Sequence, residues 1–161
     1  IRTSGVIRMR RYGRMMEEAR RRFLKSDKPG WLALNKLFPD IENALRNVGE
    51  ASRLYILSTK KKRFIRRILD AAGVPFKPGN IMHAAGNMKL PMISRLLDRR
   101  GAGNAVMIDD QIDHLTRNDD SRIRVGLAAW GYVRPEWLSG DTAVKPVTLP
   151  EAVALIARAG K

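Results

Sequence analysis

The chain has 161 residues, 44% hydrophobic and 29% charged, which is typical of one globular domain with its own core and excludes a largely disordered chain. The absence of cysteine, the presence of only two histidines and the lack of any long apolar run exclude disulfide scaffolds, thiolate or His-rich metal sites and a membrane span. We therefore expect a soluble, cytoplasmic protein. Thirty-one Lys and Arg against 16 Asp and Glu give a net charge of +15, which favours polyanions or phosphorylated ligands as partners.

The first 37 residues are predicted to be helical and strongly basic. Residues 1–25 contain nine Lys or Arg and only two acids, and apolar residues recur at roughly helical spacing over residues 6–26. This pattern predicts an amphipathic helix with a basic outer face, which either steers anionic ligands or is simply solvated. Residues 26–30 end this helix, and a short helix follows at about residues 31–37.

From Arg53 onward, strands and helices alternate. Before that point, Asp40 is a candidate N-cap for a helix at residues 41–48. Predicted strands occupy residues 54–57, 81–84, 105–108 and 123–128, and predicted helices occupy residues 60–72, 88–99, 112–116 and 150–159. This alternation predicts an α/β fold with a parallel sheet covered by helices on both faces, in which ligands bind beyond the carboxyl ends of the strands.

Three places at these strand ends and helix starts carry candidate chemistry. Ser58 and Thr59 follow the first strand, where a hydroxyl and free N–H groups suit a phosphate or simply cap the next helix. Lys89 opens a helix, where its ammonium opposes the helix dipole and requires a nearby anion or exposure to water. Asp109 and Asp110 end a strand, with Asp113 just beyond, a pattern that suits either Mg²⁺ or turn and cap chemistry.

The order of these features resembles the haloacid dehalogenase (HAD) superfamily, and in particular its phosphoglycolate-phosphatase-like members. LYILSTK resembles the strand motif that ends in Ser or Thr, with Ser58 at the motif position, and GNMKLP partly resembles the lysine motif through Lys89 and Pro91. AVMIDDQID resembles the acidic motif through Asp109 and Asp110. LFPDIENAL, VGLAAWGYVRPEWL and AVKPVTLPEAVALI resemble flanking stretches, so the resemblance covers about residues 38–161. Leu90 and Asp109 stand where Pro and Gly are common in the family.

The resemblance implies a Rossmann-like three-layer α/β core over residues 38–161 and a partial, basic helical cap over residues 1–37. It also implies a Mg²⁺-dependent phosphatase acting on a small phosphorylated substrate through an aspartyl-phosphate. Ser58, Thr59 and Lys89 would bind the phosphate, with Ser58 and Lys89 also catalytic. Asp110 would hold Mg²⁺ directly, supported by Asp109 and Asp113.

The family's nucleophile motif, DxDx[TV], does not occur in the sequence. Ile1-Arg2-Thr3 resembles the sequence that follows this motif in the family. We therefore expect that the first, central strand is missing and that the chain alone is inactive and poorly stable. Two alternatives stay open. One is a nucleic-acid-binding module that uses the basic cluster at residues 1–25 and a second cluster at residues 60–67, although only 6% of residues are aromatic. The other is a catalytically inactive HAD-like binding protein.

Overall fold

The computed structural model describes residues 2–84, 88–139 and 143–160, and within the first helix it describes side chains from residue 11 onward. The chain divides into two compact units, Ile1–Leu37 and Phe38–Lys161. No helix in the described residues is both long enough and apolar enough to cross a membrane.

The first unit consists of two helices, α1 (Arg2–Ser26) and α2 (Lys28–Ala33). The second helix begins earlier than the sequence pattern predicts because Asp27 is its N-cap, with a carboxylate oxygen that accepts a hydrogen bond from the Gly30 backbone N–H at 2.8 Å. Pro29 lies in the first turn of α2, where its missing N–H costs nothing. Residues 26–30 therefore end one helix and immediately start the next.

The second unit alternates strands and helices. Its elements are α3 (Pro39–Val48), β1 (Ile56–Ser58), α4 (Lys62–Ala71), β2 (Ile81–His83), α5 (Lys89–Arg100), β3 (Ala105–Asp109), β4 (Ile123–Ala128), β5 (Lys145–Val147) and α6 (Leu149–Ala159). Short 3-10 turns occupy Pro78–Asn80, Ile112–His114 and Pro135–Trp137. The predicted α/β class with parallel strand pairing is confirmed.

The strands form two parallel sheets. In the smaller sheet β1 pairs with β2, with Ile56 opposite Ile81 and Ser58 opposite His83. In the larger sheet the order is β3-β4-β5, and Asp109 lies opposite Leu127. Among the described strands, β1 and β3 do not pair with each other.

The main apolar core of this unit joins the two sheets. Leu57 of β1 packs against a buried cluster to which α5, β3 and β4 all contribute. The buried cluster is Leu90, Ile93, Leu97, Met107, Ile112, Leu115, Ile123, Leu127 and Val144. Burial of these side chains removes a continuous apolar surface from water, which is the main stabilising term for a domain of this size.

Buried or shielded polar groups fix the segments that lead into the strands. The Asn80 amide, only 3% exposed, donates to the carbonyl oxygens of Ala51, Ser52 and Leu54, which positions the chain entering β1. Arg122, just before β4, makes two bonds to Asp120 (3.0 and 2.8 Å) and one of 2.8 Å to Asp98 of α5. The Arg122 hydrogen bonds hold the pKa of Asp120 far below its ordinary value.

Besides shifts of one or two residues at other element ends, three features of the second unit differ from the prediction. The strand β1 starts at Ile56 rather than at residue 54, because the carbonyl oxygen of Leu54 accepts a hydrogen bond from the Asn80 side chain. Asp40 is not an N-cap, because Pro39 already lies in the first turn of α3 and Phe38 occupies the cap position without a side-chain bond. The segment predicted as a helix at residues 112–116 is a single 3-10 turn.

Candidate functional site

An ion pair connects the start of α5 to the carboxyl end of β3. Ser58 ends β1 opposite His83, which ends β2, and Lys89 begins α5 shortly after β2. The Lys89 ammonium donates to the Asp109 carboxylate at the end of β3. This ion pair brings the start of α5 to the carboxyl end of β3, and Ser58 lies at the carboxyl end of β1.

The Lys89–Asp109 pair is buried. The Lys89 side chain is 9% exposed and the Asp109 side chain is 7% exposed. Asp109 also accepts a 3.0 Å bond from the Gln111 backbone N–H, and Nδ1 of His114 lies 3.3 Å from each of its oxygens. The carboxylate therefore meets three nitrogen groups from different points of the chain.

Burial and hydrogen bonding act on the pKa of Asp109 in opposite directions. Burial raises the pKa, but the hydrogen bonds from Lys89 and Gln111, the charge of Lys89 and the contact with His114 outweigh burial and hold the pKa below its ordinary value. Asp109 is therefore ionised near neutral pH, and it supplies the anion that an ammonium at the start of a helix requires.

Ser58 is half-buried at the end of β1. Its hydroxyl oxygen accepts a 3.1 Å hydrogen bond from the backbone N–H of Lys60, and its carbonyl accepts a 2.9 Å bond from Ala84. These bonds fix the turn between β1 and α4. Thr59, the next residue, is exposed.

Asp110 takes part in a different contact from Asp109. One of its carboxylate oxygens accepts a 3.1 Å bond from the backbone N–H of Tyr132, in the loop after β4. This loop passes so close that a Cβ atom at Gly131 would lie 2.4 Å from Cβ of Asp110. The two adjacent carboxylates thus hold different segments, and Asp110 fixes a loop whose Tyr132 side chain is 92% exposed.

The structure does not bring the three predicted metal ligands into one donor set. Asp109 is bonded to Lys89, Asp110 is bonded to the loop after β4, and Asp113 is exposed in a 3-10 turn. Throughout residues 2–84, 88–139 and 143–160, no group of three or more His, Asp or Glu side chains could hold a metal ion. The described residues alone therefore do not fit Mg²⁺.

His114 and Gly131 belong to this site, and the sequence pattern did not identify either of them. His114 lies five residues after Asp109 in a turn whose side-chain direction local spacing does not define. Gly131 supports Asp110 from more than twenty residues away. The sequence offers only the stretch Trp130-Gly131-Tyr132, whose resemblance to the family does not predict a contact with Asp110.

Comparisons with protein-family models, with curated proteins and with solved structures found no match for this chain.

Proposed function

We propose that the chain carries the phosphate-binding part of a HAD-type phosphatase acting on a small phosphorylated substrate. In this proposal, residues 38–161 form a Rossmann-like three-layer core and residues 1–37 a partial helical cap. The buried Lys89–Asp109 pair carries the proposal, because it holds an ammonium at the carboxyl end of the parallel strand β3, and Ser58 occupies the carboxyl end of β1.

The chain's own residues would act by binding and orientation. The hydroxyl of Ser58 can donate its hydrogen to a phosphoryl oxygen, and Thr59 follows it at the same turn. Lys89 would offset the negative charge of the phosphoryl group, and Asp109, with Gln111 and His114, holds the Lys89 ammonium in place. A charge fixed in advance stabilises a transition state without reorganising during the reaction.

The covalent step needs a carboxylate that we assign to none of these residues, because the sequence contains no D-x-D. In that step an aspartate oxygen forms a bond to phosphorus, and the ester oxygen leaves and takes up a proton. Water then attacks the aspartyl-phosphate and releases inorganic phosphate. The Mg²⁺ dependence implied by the resemblance stays a prediction, and no step is assigned to the metal here.

Binding of inorganic phosphate to the purified chain tests this proposal without requiring turnover. We expect Lys89→Met to weaken phosphate binding about tenfold or more, which corresponds to about 1.4 kcal/mol or more. The matched control is Lys145→Met, the same substitution at an exposed position in β5.

Removal of Lys89 alone leaves Asp109 buried without its cation, which destabilises the fold. A second variant therefore separates a loss of phosphate binding from a loss of folding. The double variant Lys89→Met with Asp109→Leu removes both charges and fills their space with apolar side chains. We expect this double variant to fold and to bind phosphate as weakly as Lys89→Met. Phosphate affinity equal to that of the unmodified chain in either variant, or no phosphate binding by the unmodified chain, would contradict the proposal.

A further inference from the structure

The outer surface of α4 is a second charged feature, and the proposed hydrolase does not use it. Helix α4 is preceded by Lys60 and Lys61, and its own residues include four more cations. The side chains of Phe64, Ile65, Ile68 and Leu69 are buried. The exposed residues of the helix are Lys62, Arg63, Arg66, Arg67, Asp70 and Ala71.

These exposed cations form one continuous face. Successive helical residues are about 100° apart, so Lys62, Arg66, Arg63 and Arg67 lie within an arc of about 140°. Asp70, near the end of the helix, is the one acid within that arc. Lys62 and Arg66, like Arg63 and Arg67, are separated by about one turn, or about 6 Å.

This arrangement costs helix stability. The first turn of α4 contains no acid, and Lys61 at the cap position makes no side-chain cap bond. Cations near a helix start oppose the helix dipole, and like charges four residues apart repel. By contrast, α3 has Asp40 and Glu42 in its first turn and α6 has a capping box made by Thr148 and Glu151, although α5, like α4, has no acid in its first turn. Local stability therefore does not explain the sequence of α4.

We propose that the face of α4 formed by Lys62, Arg63, Arg66 and Arg67, together with the preceding Lys60 and Lys61, binds the phosphate backbone of a nucleic acid. Nucleic-acid interfaces are polar and strongly positive, and their affinity comes largely from cations that neutralise phosphates. The proposal does not rest on the phosphatase function, since backbone binding requires no reaction at Ser58 or Lys89.

The chemistry of the face favours a nucleic acid over two other anionic partners. A membrane-surface helix inserts apolar side chains below the headgroups, but all four large apolar side chains of α4 are buried in the protein. A specific protein partner needs an apolar centre in its interface, and the exposed face of α4 offers no large apolar side chain. What the face does offer is charge complementary to a row of phosphates.

The salt dependence of binding to a short, fluorescently labelled DNA duplex tests this assignment. The test variant is Lys62→Gln with Arg66→Gln and Arg67→Gln. The control is Arg11→Gln with Arg14→Gln and Arg21→Gln on α1, which lowers the net charge by the same amount at exposed residues. Both variants and the unmodified chain are titrated between about 50 mM and about 200 mM salt.

We expect the α4 variant to bind the duplex more weakly and its slope of log affinity against log salt to decrease by about 2.7, or about 0.9 for each cation removed. The control slope should change by less than about one. Equal losses in both variants would overturn the proposal, because binding would then follow net charge alone. Absence of duplex binding by the unmodified chain, or displacement of the duplex by vesicles of phosphatidylserine and phosphatidylcholine, would also overturn it.

Thermal unfolding of the α4 variant gives an independent outcome. We expect its melting temperature to equal or exceed that of the unmodified chain, because the substitutions remove like-charge repulsion from an exposed surface. A lower melting temperature would show that the cations serve the fold and would contradict their assignment to a ligand.

Discussion

Lys89 and Asp109 are buried together, and the burial of each depends on the other. A lone ammonium or carboxylate with less than one tenth of its side chain exposed would pay a large desolvation cost. Replacement of such a pair by apolar side chains is often neutral or even stabilising, so stability alone does not explain its presence. We therefore propose that the Lys89 ammonium, which Asp109 holds at the end of β3, serves to bind a phosphate.

The substitution Asp109→Asn is expected to destabilise the chain by about 3–5 kcal/mol at neutral pH, because Lys89 loses its anion while buried. Asp109 has a lowered pKa in the folded chain, so its contribution is complete above about pH 4 and is lost as pH falls through the folded-state value. The Asp109→Asn variant should therefore lose less stability than the unmodified chain as the pH falls through this range. Urea unfolding at a series of pH values measures both effects.

Asp119→Asn is the matched control, because this residue is exposed. We expect the control to keep nearly all of the stability at neutral pH. If Asp109→Asn were as stable as the control at neutral pH, the pair would not be the buried interaction that the structure describes.

Among the elements, the pairing of β4 with β5 depends on one glycine. Gly126 lies opposite Lys145, and a Cβ atom at Gly126 would lie 2.4 Å from Cγ2 of Val147. Val147 is β-branched and cannot easily rotate out of the way. The absence of a side chain at Gly126 therefore allows the edge strand β5 to pack its valine over β4.

We expect Gly126→Ala to destabilise the chain by about 1–3 kcal/mol through overpacking. Adding Val147→Ala should recover part of this loss, because it removes the methyl group that collides. Chemical denaturation of the two single variants and the double variant gives their coupling energy. Gly103→Ala, at a position with no atom within 4 Å of the added Cβ, is the control, and strictly additive losses would exclude the proposed collision.

On the scale of the whole molecule, the outer edges of β1 and β3 are two of the four sheet edges that have no described partner strand. β1 pairs only with β2, and β3 pairs only with β4, within the described strands. Val106 of β3 is 40% exposed although it lies in an apolar strand. Leu57 still packs against the core that contains Met107, so the two strands share a core without sharing hydrogen bonds. Unpaired strand edges and exposed apolar side chains lower stability.

We predict that the 161-residue chain has no phosphatase activity and modest stability. An added amino-terminal strand that ends in DxDx[TV] is expected to confer phosphatase activity and to raise the free energy of unfolding. The strand would pair with the edges of β1 and β3 and supply the nucleophile. The measurements are the midpoint of denaturant unfolding and the release of phosphate from a phosphomonoester with and without Mg²⁺.

An extended chain with the first motif Asp changed to Asn separates the two effects. It should gain the stability but release no phosphate. Turnover by the 161-residue chain equal to that of the extended chain would show that the nucleophile lies within these residues.

Much of the element order could be predicted from the sequence because local signals define it. The strand Ile123–Ala128 has the predicted bounds, and helices α4 and α5 stop at Gly73 and Gly101, whose φ angles of +62° and +60° favour glycine. The capping box of α6 can also be recognised in the sequence, since Thr148 and Glu151 have the required spacing.

The sequence by itself determined that the Lys89 ammonium at a helix start needs either an anion or exposure to water, because the helix dipole is a local property. Only the tertiary structure decided that Lys89 is buried and therefore needs an anion. Only the tertiary structure decided that this anion is Asp109 and not Asp110. Successive side chains at the end of a strand point in opposite directions, so neighbours in sequence reach different parts of the molecule. Asp109 meets Lys89 and His114, whereas Asp110 meets the loop of Gly131 and Tyr132. These contacts depend on how the two sheets share one core, and local sequence patterns do not encode that arrangement.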